Sequence, residues 1–85
     1  MKILFSEQAW NDYLYWQHTD KRMIRKINVL IKDISRHPNT GIGKPEMLKH
    51  DLAGLWSRRI DHEHRLIYKA AAEEVRIYSC RYHYD

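Results

Sequence analysis

The side chains best suited to chemistry sit together in one late stretch. Arg81-Tyr82-His83-Tyr84 offers a cation, an imidazole and two phenols in consecutive positions. It continues a segment from Glu74 in which Val75, Ile77, Tyr78 and Cys80 supply the side chains of a strand. A chain end is ordinarily frayed and solvated, so these groups form a site only if other elements hold partners beside them. Arg59, Arg65, Glu46 and Lys49 are the candidates. Together they add one carboxylate and several cations to the imidazole and phenol, groups that can move protons and hold an anion where they converge. Taken singly, each has a plainer role. Arginines and lysines on an exposed sheet face mostly serve solubility, and Glu46 reads as a loop carboxylate. Strict alternation also sends His83 and Tyr84 to opposite faces unless the strand bends there.

The elements that must position these groups are legible in order. Met1 to Phe5 reads as a short strand. Ser6 is an N-cap with Glu7 in the first turn, and residues 7–17 carry Ala9, Trp10, Tyr13, Leu14 and Trp16 at helical spacing. Thr19 or Asp20 caps a second helix. Its Met23, Ile24, Ile27, Leu30, Ile31 and Ile34 make one buried stripe, with Lys21, Arg22, Arg25, Lys26, Lys32 and Arg36 mostly off it. Pro38 ends that helix. The loop Pro38–Pro45 holds both prolines and two of the three glycines, so the chain passes there from helical to extended. Short runs at 46–48, 55–60, 64–70 and from 74 onward, separated by polar turns, predict an antiparallel meander. The fold class is therefore α+β: two N-terminal helices packed on one face of a small antiparallel sheet, as a single domain spanning 1–85. Alternation groups Leu55, Ser57 and Arg59 on one face, with Trp56, Arg58 and Ile60 on the other. His64, Leu66, Tyr68 and Ala70 face the core, while Arg65, Ile67 and Lys69 point outward. Arg59, Arg65 and the Arg81–Tyr84 stretch can then meet on the open face, with Glu46 and Lys49 at its edge.

Composition narrows the partners. Fifteen Lys and Arg against eleven Asp and Glu give a net charge of +4, with six histidines in reserve. That balance favours a polyanion, nucleic acid before membrane, since no helix pattern leaves an apolar face open. The apolar run in Met1–Ser6 is too short for a signal peptide or a span. Cys80 is the only cysteine; it reads as a small hydrophobe in an apolar strand and, with no partner thiol, fits a reducing cytosol. His62 and His64 share a strand face but supply too few ligands, so no metal is expected. Gly41-Ile42-Gly43 lacks the strand–turn–helix context of a phosphate-cradling loop.

Seven pieces in order resemble the YoeB-type toxins of the RelE/ParE toxin–antitoxin superfamily: 10–16 (WNDYLYW), 19–22 (TDKR), 43–46 (GKPE), 48–50 (LKH), 54–60 (GLWSRRI), 63–66 (EHRL) and 80–84 (CRYHY). The resemblance implies helices on an antiparallel sheet joined by the N-terminal strand. It implies a metal-independent, cofactor-free endoribonuclease that cuts messenger RNA in the ribosomal A site and is neutralised by a cognate antitoxin. The same likeness suggests a homodimer; the basic face of the second helix suits the antitoxin or ribosomal RNA, and the lone cysteine with the short N-terminal apolar run suits a cytoplasmic location. Matched residue by residue, it assigns the general base to Glu46, a phosphate-stabilising cation to Arg65, the general acid to His83 and an orienting aromatic to Tyr84. Lys49 and Arg59 match further basic positions around the scissile phosphate. Glu46 would serve as base if burial or a missing cation lifted its pKa above about 4.3. One departure is Asp85 after the His-Tyr pair, whose charge favours imidazolium and weakens phosphate binding. The alternatives are a non-enzymatic gyrase inhibitor like the ParE branch, which lacks the Glu46/Arg65/His83/Tyr84 set, and a bare RNA-binding module.

Overall fold

The computed structural model describes residues 1–82. The elements run β1 (Lys2–Phe5), α1 (Glu7–Thr19), α2 (Lys21–Arg36), β2 (Glu46–Met47), a 3-10 turn (His50–Leu52), β3 (Trp56–Arg59), β4 (Arg65–Ala70) and β5 (Glu74–Ser79). Ser6 starts α1 as its sequence context predicts. Its hydroxyl accepts from the Ala9 amide at 3.0 Å and donates to the Tyr78 carbonyl at 2.9 Å, so the cap also fastens the helix start to β5. Asp20 caps α2 by accepting from the Arg22 amide at 3.0 Å. The α2 stripe buries Met23, Ile27, Leu30 and Ile34, each worth about 1.5–3 kcal/mol of apolar transfer. It meets Ile60, Leu66, Tyr68, Val75 and Ile77 on the sheet. The helix-facing set of β4 is as expected: His64, Leu66 and Tyr68 are buried on that side and Ala70 packs against the core.

The strands form one sheet in the order β1-β5-β4-β3-β2. β2 to β5 are the antiparallel meander. β1, however, pairs parallel with β5, Ile3 opposite Val75 and Phe5 opposite Ile77, so the sheet is mostly rather than wholly antiparallel. The crossover that parallel pairing requires is made by the two helices, which carry the chain over one face.

Three other expectations change. The buried face of α1 is Ala9, Asp12 and Trp16, while Trp10 is about half exposed; a carboxylate goes inside because the Cys80 amide and the Gln8 side chain both donate to it there. Ile67 does face away from the helices, yet it is buried, since β4 is the central strand with neighbours on both sides. The molecule also leaves an apolar surface open. Met1, Ile3, Phe5, Trp10, Tyr13 and Ile31 line a groove of about 580 Å³ between β1 and the helices, with Trp10 stacked on Tyr13. Among the described residues no helix is long and apolar enough to cross a membrane.

Candidate functional site

Register places the candidate residues. Glu46 is opposite Ser57, Ser57 opposite Ile67, and Ile67 opposite Ser79. Directly paired residues share a face, so these four form a row across β2 to β5 on the side away from the helices. Arg59 and Arg65 are opposite each other one pleat further along the same face. With strands about 4.8 Å apart and residues about 3.3 Å apart along each, Glu46 and the two arginines border one patch of sheet. Two like charges set directly opposite are unfavourable alone, which suits a site waiting for an anion.

Arg65 is half-buried and partly tied back: its Nη1 donates to the Asp61 carbonyl at 2.8 Å and the His64 carbonyl at 3.1 Å. Nε and Nη2 have no protein partner among the described residues. Arg59 is exposed, and its amide donates to the Gly43 carbonyl at 2.7 Å, which docks the incoming loop on β3. Glu46 is exposed on a two-residue edge strand. Lys49 is exposed at the same sheet edge, three residues past Glu46 and just before the 3-10 turn. Among the described residues no hydrogen bond or ion pair joins Glu46, Lys49, Arg59 and Arg65 to one another. His83 and Tyr84 lie outside the described residues, as does Asp85. What leads to them is defined. β5 stops at Ser79, earlier than the strand expected from sequence. Tyr82 takes the left-handed conformation (φ 64°), and its carbonyl accepts from the Arg65 amide at 2.8 Å.

Several supporting residues escape a reading by composition. Arg58 is fully buried on the helix side of β3. Its Nη1 donates to Asp33 Oδ2 at 2.5 Å and the Ile42 carbonyl at 3.1 Å. Nη2 donates to the Thr40 carbonyl at 2.7 Å and to the His37 carbonyl, and Nε to the Tyr68 hydroxyl at 3.1 Å. Tyr68 in turn donates to the Pro38 carbonyl at 2.7 Å. One guanidinium thus gathers the loop that delivers Glu46. The loop needs its glycines to come this close. A Cβ on Gly41 (φ 112°) would meet Asp33 Oδ2 at 2.1 Å, and one on Gly43 (φ 81°) would meet Leu30 Cδ2 at 2.8 Å. The Arg58 hydrogen bond holds the Asp33 carboxyl below the usual aspartate value, whereas burial pushes the Tyr68 phenol up. Around the tail, Asp12 Oδ2 accepts from the Cys80 amide at 3.0 Å and Trp16 Nε1 donates to the Cys80 carbonyl at 2.8 Å. His64 Nδ1 accepts from the Tyr82 amide at 2.7 Å. That bond removes His64 from any simple pairing with exposed His62, and among the described residues no three His, Cys, Asp or Glu side chains gather to hold a metal. Cys80 is buried, and burial, reinforced by Asp12, pushes its thiol up to about 12. It is the small hydrophobe its context indicates.

Comparison with known proteins adds to this geometry. Residues 5–84 match the family model described as YoeB-like toxin of bacterial type II toxin-antitoxin system. Toxin YoeB of Escherichia coli K12 is 60% identical over 84 residues, covering 99% of this chain and all of that one. The YoeB dimer from Staphylococcus aureus superposes with a TM-score of 0.93 at 53% identity, over 99% of this chain and 98% of that one. YoeB in the heterotetrameric YoeB-YefM toxin–antitoxin complex from the same organism superposes at 0.92 and 53%, with the same coverage.

Proposed function

The chain belongs to the family of YoeB-like toxins of bacterial type II toxin–antitoxin systems, and on that footing we propose that it is a ribosome-dependent endoribonuclease that cleaves messenger RNA in the A site, in the cytoplasm, without a metal. The observation that supports this most is the open-face patch: a carboxylate at the sheet edge, Glu46, bordering the opposed pair Arg59 and Arg65. The substrate supplies its own nucleophile. Glu46 takes the proton of a ribose 2′-hydroxyl, and the 2′-oxygen bonds to the adjacent phosphorus. Negative charge grows on the non-bridging oxygens, where Arg65, with Arg59 and Lys49, gives charge-assisted hydrogen bonds. The bond from phosphorus to the 5′-oxygen breaks, and His83, as imidazolium, returns a proton to that leaving oxygen. Tyr84 orients or stacks on the base beside it. The products are a 2′,3′-cyclic phosphate and a free 5′-hydroxyl, and DNA, which has no 2′-hydroxyl, is not a substrate.

The protein partners proposed with this activity are a cognate antitoxin and a second copy of the chain, by analogy with the YoeB-YefM complex and the YoeB dimer from S. aureus. Arg22, Arg25 and Lys26 on the exposed side of α2 suit an acidic antitoxin segment or ribosomal RNA. The test is cleavage on programmed ribosomes with mapping of the cut ends. Glu46→Ala and His83→Ala should each lose cutting by roughly 10²–10⁴-fold while remaining folded and ribosome-bound, and 3′ ends should carry phosphate. Undiminished cutting by both variants, or 3′-hydroxyl ends, refutes the mechanism.

A further inference from the structure

The stretch from Cys80 to Tyr82 leaves the sheet yet is held by groups outside it. An isolated strand end has unpaired amides and carbonyls and frays. Here side chains replace the missing strand. α1 supplies Asp12 to the Cys80 amide and Trp16 to the Cys80 carbonyl, while Arg81 stacks on the Tyr15 ring at 3.5 Å. The last described residue is then fixed from the start of β4. The Tyr82 amide donates to His64 Nδ1 at 2.7 Å, and its carbonyl accepts from the Arg65 amide at 2.8 Å. A nitrogen that accepts cannot carry the proton, so the His64 proton sits on Nε2, which faces Glu63 at 3.5 Å. The His64 ring is itself located by an edge contact with Trp16, 4.8 Å between centroids.

From this we infer that His64 is a positioning residue for the active-site tail: through Nδ1 it locks Tyr82 in the left-handed turn from which His83 departs. The inference rests on the role proposed for His83. Tyr82 has φ 64°, a conformation that is strained for a non-glycine residue and persists only where the surroundings impose it. His64 and the Arg65 amide are what impose it. Because Arg65 is the proposed phosphate ligand, the same two-residue segment sets both the cation and the origin of the acid. A proton donor misplaced by about 1 Å can cost on the order of 10²-fold in rate, so losing this bond should slow cleavage without weakening ribosome binding.

The test compares two amides of equal polarity. In His64→Asn the side-chain oxygen stands where Nδ1 stood; in His64→Gln it stands one bond further out. Single-turnover cleavage on programmed ribosomes should fall by roughly 10–100-fold for His64→Gln and stay within about 5-fold of wild type for His64→Asn. Native-state exchange of the Tyr82 amide should follow the same order. Equal rates for both variants, or exchange unchanged in His64→Gln, overturn the inference. Since His64 is buried and its variants could lose the fold, Tyr82 gives a second route. It is exposed, and its ring contacts with Arg81 and His64 are lost equally in Tyr82→Val and Tyr82→Asn, so the pair differs in the turn alone, which asparagine tolerates and valine does not. Slow cutting by the valine variant alone supports the inference, and equal cutting by the two overturns it. If wild type itself fails to cut, the reading of His83 falls, and the Tyr82 exchange series alone then decides whether His64 locks the turn.

Discussion

Replacing Arg58 with methionine removes five hydrogen bonds while keeping most of the apolar stem. The carbonyls of His37, Thr40 and Ile42 lose their donor, Tyr68 loses a partner, and Asp33 loses its cation. Breaking a buried ion pair by deleting one partner typically costs about 3–5 kcal/mol. Two features place this case at the lower end. The Asp33 side chain is 22% exposed and can recover water, and the loop residues Thr40 and Ile42 lie at the surface. A loss of about 3 kcal/mol is a large share of the roughly 5–15 kcal/mol that holds such domains together. At about 4–8 °C per kcal/mol for a chain of this size, melting should fall by roughly 12–24 °C. Circular dichroism melting measures it, and amide exchange across residues 38–45 shows whether the loop goes first. Arg58→Lys should recover less than half the loss, because an ammonium supplies a charge but cannot reach three carbonyls and a phenol in one plane. Melting of the methionine variant within about 5 °C of wild type would refute the reasoning, since a drop that small corresponds to only about 1 kcal/mol and would show that water satisfies the loop equally well.

Acid should act through the same pair. Arg58 holds Asp33 below the ordinary value of 3.8, so the stabilisation is complete above 3.8 and fades as pH falls through the lower folded value. The urea-midpoint gap between wild type and Asp33→Asn should therefore narrow below pH 3.8, and a gap that stays constant would exclude the linkage. Cys80, buried and with its thiol pushed up to about 12, should resist alkylation at pH 8 until global unfolding. Labelling in native buffer as fast as a free thiol would show that the tail opens locally.

Pattern carried far in this sequence where one signal acted alone. The α2 stripe, the Ser6 cap and the proline-terminated helix end depend on local spacing, and each lies where the residues indicate. So do the Glu46, Arg59 and Arg65 positions, because a meander fixes neighbours by register. What stayed hidden depends on partners distant in the chain. Alternation groups Arg58 with Trp56 and Ile60, but its partners, Asp33, Tyr68 and the carbonyls of His37, Thr40 and Ile42, lie 10 to 25 residues away. Nothing near Asp12 announces that its partner is the amide of Cys80. The parallel pairing of β1 was equally silent, since five apolar-rich residues do not say which edge they will join. Ile67 alternates outward and is still buried, because centrality in a sheet is a property of strand order.

That strand order bears on how the molecule comes into being. β5 leaves the ribosome after the other four strands, yet it is inserted between β1 and β4 rather than added to an edge. Until it arrives, β1 has no neighbouring strand, and Ser6, Asp12 and Trp16 lack their long-range partners, which lie 64–72 residues downstream. Contacts of that span form slowly and late. The sheet therefore closes in the same event that brings Tyr82 beside Arg65, so sheet closure and the placing of this stretch are one step rather than two.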